Sequence, residues 1–200
     1  MRDGRNGAHL AVAPELEGER VVLRRPSLHD YTAWADLRRR SRGFLEAWEP
    51  AWREDELSRA TYRRKVRRYE DDATTARAFA FLNWRKADRA LVGGVTLGQI
   101  RRGAAQTAVL GYWVGEPFAR QGYTLEAARL VLGLAFGALR LHRIEASCMP
   151  ENSASLGVLA KLGFQEEGRL RQALHIAGTW RDHVLLSLLR EENDATPAAR

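Results

Sequence analysis

Apolar and polar positions fall in short blocks along this chain, and the period of the blocks changes partway through. Arg20–Arg25 (RVVLRR) reads as a first strand. Ser27 is placed to cap the helix that follows, with Asp30 three residues on as its capping-box partner, and that helix is predicted to run to about Arg40. Thr61–Glu70 (TYRRKVRRYE) reads as a second, strongly basic helix. Three strands are predicted next, over Ala78–Trp84, Leu91–Ile100 and Thr107–Val114. Gly93, Gly94 and the Arg101-Arg102-Gly103 segment punctuate them as hairpin turns would. From Thr124 to Leu139 the period becomes helical, with Ala127, Leu130, Val131, Leu134, Ala135 and Ala138 on one face. A strand over Arg143–Cys148 follows. Asn152 then caps a short helix carrying Leu156, Leu159 and Leu162, which Gly163 closes. Phe164–Leu170 and Asp182–Leu189 are the final predicted strands.

Strands first, then a strand–helix–strand–helix–strand unit, imply a mixed α/β (α+β) fold, a central sheet flanked by helices. No linker, repeat or low-complexity tract interrupts it. Residues 15–190 are therefore expected to form one domain, with 1–14 and 191–200 as flexible tails.

Composition narrows the class. Apolar residues at 45% and charged residues at 28% argue against wholesale disorder. No apolar run approaches the roughly 20 residues that span a bilayer. Met1 to Ala13 holds no apolar block of the kind a signal peptide needs, so a cytoplasmic protein is expected. Cys148 is the only cysteine, which excludes an intrachain disulfide and a multi-cysteine metal site, and no metal is expected. The net charge of +7 comes almost wholly from arginine, since the only lysines are Lys65, Lys86 and Lys161. Arginine's planar fork suits phosphate and carboxylate partners. A solvated surface in an arginine-biased chain gives the same count, so charge alone assigns no partner. Nucleic-acid motifs and interleaved aromatic and basic residues are absent, which argues against direct nucleic-acid binding.

Candidate chemistry gathers where the third predicted strand meets the long helix, at Gly115-Glu-Pro-Phe-Ala-Arg-Gln-Gly-Tyr-Thr. Gly122 lets the backbone turn tightly just before the helix. The N–H groups that follow, with the helix dipole behind them, make an anion nest fit for a pyrophosphate. A glycine before a helix is also a common connector. The segment is neither a Walker loop nor a GxGxxG loop.

The wider context adds to this. Gly111-Tyr-Trp-Val-Gly-Glu-Pro, the loop and helix, Leu141-His-Arg-Ile-Glu-Ala, Pro150-Glu-Asn-Ser-Ala-Ser and Leu162-Gly-Phe-Gln-Glu-Glu-Gly occur in that order at close spacing. The combination resembles the GNAT superfamily of acetyl-CoA-dependent N-acetyltransferases, and within it the RimJ/RimL-type ribosomal-protein alanine N-acetyltransferases. Phe44-Leu-Glu-Ala-Trp-Glu-Pro and Gly178-Thr-Trp-Arg-Asp-His are similar to the RimJ branch in particular. The resemblance covers about residues 20–190. It implies acetyl-CoA as cosubstrate and, as acceptor, a protein N-terminus such as that of a ribosomal protein, or a small amine. It leaves open a monomer or a homodimer.

The family's phosphate loop, Q/R-x-x-G-x-G/A, falls on Ala119–Thr124, with Gly122 in place and Ala119 and Thr124 departing from the pattern. The resemblance implies coenzyme contacts at Gln121, Gly122, Tyr123 and Thr124. It also implies backbone bonds from Tyr112, Trp113 and Val114 to the pantetheine arm, and Asn152 and Ser155 near the sulfur. Ser155 becomes the expected proton donor to the departing thiolate. A serine in the first turn of a helix also serves simply to satisfy a free N–H. Tyr112, Trp113 and Tyr123 have an alternative as core aromatics.

Acetyl transfer needs a neutral amine, stabilisation of the oxyanion, and a proton for the thiolate. The strand glutamate that is a candidate base in relatives resembling RimL corresponds here to Val109. His175, Glu145 and the Asp182–His183 pair remain as bases by residue chemistry. The acceptor groove is expected between Phe44–Trp52 and His175–His183, with Trp48, Trp52, His175, Trp180 and Asp182 as its lining; the tryptophans would serve equally as core under a loop. A non-catalytic acyl-CoA sensor or RNA-binding module is the alternative from another class, with the basic Thr61–Glu70 helix as its support.

Overall fold

The computed structural model describes residues 15–195. Eight strands form one mixed sheet: β1 (Glu15–Glu17), β2 (Val21–Arg24), β3 (Phe79–Arg85), β4 (Leu91–Arg101), β5 (Thr107–Val114), β6 (Arg143–Cys148), β7 (Gln165–Ile176) and β8 (Thr179–Leu189). Their order is β1-β2-β3-β4-β5-β6-β8-β7. Every neighbouring pair is antiparallel except β5 and β6, which run parallel. The helices are α1 (Tyr31–Arg40), α2 (Arg42–Glu46), α3 (Arg59–Thr74), α4 (Tyr123–Phe136), α5 (Ser153–Lys161) and α6 (Arg190–Ala195). The mixed, helix-flanked sheet is the architecture the sequence pattern predicts.

Alternation along the strands divides the core. Phe79 and Phe81 of β3, with Val95, Leu97, Ala108 and Leu110, pack against the apolar face of α4 and against Leu159 of α5. Leu82, one residue out of phase, packs on the other face with Trp34, Leu37, Tyr62 and Val66 of α1 and α3. The charged face of α3 is thus the solvent side of an ordinary amphipathic helix.

Several boundaries differ from the pattern, each for a local reason. The segment after Ser27 opens with a 3-10 turn before α1, and Ser27 N–H and Oγ–H both donate to Asp30 Oδ2, at 2.8 and 2.9 Å. Helix α3 starts earlier than Thr61 because Ser58 Oγ accepts the Thr61 N–H at 3.1 Å. Helix α4 stops at Phe136. Leu139 N–H then bonds Leu134 O, which folds Leu139 into the core and leaves Ala138 exposed beyond the helix.

Gly93 and Gly94 do not mark a turn. They lie inside β4, opposite Val114 and Trp113 of β5. A Cβ on Gly94 would sit 2.5 Å from Trp113 Nε1, and one on Gly93 would strike the Trp113 carbonyl. Gly94 leaves room for the Trp113 indole, and Gly93 lets the two backbones approach closely.

Strands β7 and β8 extend well beyond their predicted spans and meet in a two-residue turn, Ala177-Gly178, with φ of 46° and 82°. Such a pair of positive φ values is the hairpin geometry that matches strand twist. Residues 191–195, expected as tail, belong to α6. There Arg190 bonds Leu141 O, and Glu192 accepts the Leu189 N–H at 2.9 Å. Residues 1–14 lie outside the described residues.

Candidate active site

The parallel pair β5/β6 is short. Thr107, Ala108 and Val109 match Arg143, Ile144 and Glu145, and there the pairing ends. Beyond that point β6 stays with β8, down to Cys148 opposite Val184, while β5 stays with β4. A wedge opens between the two strands. The bond from Gly115 N–H to Val92 O, at 2.9 Å, sets the phase of β5. By alternation Gly111, Trp113 and Gly115 turn their backbone groups toward β4, and Leu110, Tyr112 and Val114 turn theirs toward the wedge. Of the strand segment predicted to offer backbone bonds, Tyr112 and Val114 face the opening and Trp113 does not. The Trp113 side chain instead packs on the α1/α3 face.

A cavity of about 660 Å³ fills the wedge. Leu110 and Tyr112 form one wall, Ala146 and Cys148 the other, and Asn152 and Ser155 look in from the start of α5. Asn152 Oδ1 accepts the Ser155 N–H at 3.0 Å. The amide open to a first-turn serine side chain is therefore already bonded. Ser155 Oγ has no hydrogen-bond partner among the described residues. Tyr112 O–H donates to the Ser155 carbonyl at 3.3 Å, and burial pushes its pKa up to about 12. Burial likewise pushes the Cys148 thiol up to about 11, so it is a protonated, unreactive group at neutral pH.

Gly122, Gln121, Tyr123 and Thr124 lie at the start of α4. Gly122 has φ +84°, a left-handed conformation that a side chain would strain. The first intrahelical bond is Glu126 N–H to Gly122 O at 3.1 Å, so the amides of Tyr123, Thr124 and Leu125 precede the helical ladder. The Glu126 carboxylate is engaged by the Arg20 and Val21 amides and by Arg20 Nε at 3.0 Å, while Arg20 Nη1 reaches Gln121 O at 3.1 Å. Gln121 Nε2 bonds Pro117 O at 2.8 Å, and the Tyr123 ring is buried against Arg20 and Phe118. Tyr123 is thus a core aromatic, and only its backbone amide is left at the open start of the helix.

At its other end the cavity is lined by Trp48, His175, Trp180 and His183. Trp180 is 61% exposed and meets the His175 ring edge-on at 5.4 Å across the hairpin. Two residues expected here are elsewhere. Trp52 Nε1 donates to Glu49 Oε2 at 2.8 Å, and its ring lies 4.5 Å from the Arg38 guanidinium, behind the wall rather than on it. Asp182 turns to the neighbouring strand, accepting Gln172 N–H at 2.8 Å and Arg169 Nε at 3.1 Å. The Gln172 amide, then Arg169, holds its pKa below the usual carboxylate range. Asp182 thereby fixes the bulge in β7 beyond which Leu174 and His175 line the cavity.

One arrangement had no sequence signal. Arg38, only 6% exposed, lies in a cage of Trp34, Trp52 and Trp113 and forms a bidentate pair with Glu49, at 3.2 and 2.5 Å. The Glu49 carbonyl accepts the Ala177 N–H at 3.0 Å. The two walls, one after α2 and one at the β7–β8 turn, are joined at this residue. In sequence Arg38 reads as one of three arginines on a solvated helix end. Glu145, a base candidate by residue type, is held by Arg143 and Arg101 and does not line the cavity.

Residues 20–165 match the family model described as Acetyltransferase (GNAT) domain. The chain is 34% identical to a probable N-acetyltransferase YjcK of Bacillus subtilis, over 90% of this chain and 99% of that one. It is 31% identical to the [ribosomal protein uS5]-alanine N-acetyltransferase of Escherichia coli, over 86% and 89%. The solved structure of Mycobacterium smegmatis RimJ in complex with CoA-disulfide superposes with a TM-score of 0.82 at 33% identity, covering 90% of this chain and 85% of that one. A helix-flanked sheet with its wedge between β5 and β6, and likeness over nearly the whole described length, together make this chain a member of the GNAT acetyltransferase family, with relatives in its RimJ/RimL ribosomal-protein branch.

Proposed function

We propose that the chain transfers the acetyl group of acetyl-CoA to the α-amino group of a protein, with a ribosomal protein as the target. The observation that carries this reading is a cavity that runs from the open edge of β5 at Tyr112, past Asn152 and Ser155, to an exposed aromatic mouth. At the wedge, Tyr112 and Val114 offer backbone bonds to the amides of the pantetheine arm. The amides at the start of α4 take the pyrophosphate, with the helix dipole behind them. Asn152 and Ser155 flank the sulfur, and Ser155 Oγ–H gives its proton to the departing thiolate. The mouth formed by Trp48, His175 and Trp180 grips a short flexible N-terminus, large flat rings supplying contact area at low entropic cost. The E. coli relative whose name states a uS5 alanine target supports the choice of acceptor.

Amine chemistry favours an α-amine as well. An α-amino group titrates near 7.7–8.0 and a lysine near 10.4, so at one pH lysine is several hundred times less neutral, about 2.5 units' worth. Ala-started peptides are expected to be acetylated, and the same peptides with a blocked N-terminus and an internal lysine are not. Equal turnover of the blocked peptides overturns the reading. Turnover of a small polyamine in preference to any peptide moves the acceptor to the small-amine class, which the cavity volume also accommodates.

A further inference from the structure

Four titratable side chains line the cavity: Tyr112 from β5, Cys148 from β6, His175 from β7 and His183 from β8. A base for the acceptor amine must be unprotonated at neutral pH and hold a lone pair facing the reacting nitrogen. Tyr112 and Cys148 are both protonated there, for the burial reason given above. His175 is on the exposed edge strand with its ring against Trp180, at the rim.

His183 differs from all three. It is 4% exposed, on β8 between β6 and β7, opposite Leu170. Its Nδ1 lies 3.1 Å from the Arg181 carbonyl oxygen. A carbonyl oxygen only accepts, so Nδ1 carries the hydrogen, and the neutral ring has its lone pair on Nε2. Nε2 has no hydrogen-bond partner among the described residues. The charged neighbours are already paired: Arg181 with Glu151 at 3.2 Å, and Asp182 with Arg169 at 3.1 Å. No carboxylate lines the cavity to compete for the proton.

From this geometry we infer that His183 is the general base of the transfer, taking a proton from the acceptor ammonium at Nε2. The inference rests on the cavity being the transfer site. The protonated amine loses one proton to Nε2, and its freed lone pair forms the N–C bond to the thioester carbonyl carbon. The C–S bond breaks, the sulfur leaves with its electron pair, and it is protonated through Ser155, which recovers its proton from the newly acylated nitrogen. His183 then returns its proton to solvent. The sum is one amide, one thiol and one released proton.

The test is the pH dependence of kcat/KM for the wild-type chain and for His183→Gln, on whichever amine the wild-type chain acetylates best. At pH 7 the variant is expected to lose roughly 10²-fold, at the low end for an acid–base group. The loss should shrink steadily above pH 8, where an α-amine supplies its own neutral form. Acetyl-CoA affinity by calorimetry should be unchanged. Imidazole added to His183→Ala should restore activity in proportion to its neutral form, which covers the case of a poorly folding glutamine variant. A deficit constant across pH without imidazole rescue, or a loss under threefold, overturns the base. A change in the preferred amine, with the pH-dependent deficit retained, overturns the α-amine reading and leaves the base standing.

Discussion

The two ends of the candidate site are built from different materials. The end that runs from the cavity toward α4 is made of backbone: the open edge of Tyr112 and, beyond the cavity lining, Val114, a left-handed glycine and three amides ahead of a helix ladder. The end toward the β7–β8 turn is made of side chains: Trp48, His175 and Trp180, braced by the Arg38–Glu49 pair. A backbone site constrains only a few residue types, because amides are present whatever the side chain. That is why Ala119 and Thr124 can depart from the family's loop pattern without removing a donor. A side-chain site constrains direction as well as type, so on the proposed reading substitutions there are expected to alter which acceptor fits.

The sharpest test of this contrast lies at the junction. Ser155→Ala is expected to lower kcat by roughly 10²–10⁴-fold with acetyl-CoA affinity kept, since Asn152 already caps α5. A loss under threefold would assign Ser155 to the helix terminus alone. Next, Gly122→Val should weaken acetyl-CoA binding about 100-fold by calorimetry. A β-branched residue strains a left-handed φ by about 1–3 kcal/mol, and its Cβ would lie 3.1 Å from Arg20 Nη2. Acceptor KM should hold steady; a matching rise in it would break the division into two ends. The smallest effect is expected at Glu49→Gln. Losing one charge of a largely buried pair loosens the wall, so acceptor KM should rise about five- to tenfold and Tm fall, with acetyl-CoA affinity unmoved.

Legibility in the sequence follows the same division. Strand β6 and helix α5 read correctly because their apolar period is strong and Asn152 and Gly163 punctuate the ends. The far half of β7 did not: the pairing is interrupted by a bulge between Leu170 and Leu174, and an exposed edge strand carries no buried alternation to signal its continuation. Gly93 and Gly94 looked like a turn because glycine marks both turns and close strand approach, and only the partner, Trp113, distinguishes them. Motif order pointed to Tyr112, Asn152 and Ser155, which the fold places on the lining of one cavity. Trp52 and Asp182 were legible by type but not by direction: residue spacing does not say that one indole bonds Glu49 or that a carboxylate holds a bulge on the next strand. His183 could not be separated from the other candidate bases, since its tautomer is set by a backbone carbonyl two residues away.

The strand order β6-β8-β7 has a consequence for how the molecule comes into being. β8 is the last of the eight strands along the chain, yet it lies inside the sheet, between β6 and the edge. Its partner β7 can join only as the other arm of a hairpin whose two-residue turn makes that pairing local and fast. While the chain is being synthesised, β6 must wait as an open edge, its backbone groups facing β8 unpaired, until residues up to Leu189 have emerged. The hairpin side of the mouth, His175 and Trp180, and the buried His183 thus arrive in one docking event, and in a nascent chain the cavity stays incomplete until that hairpin is seated.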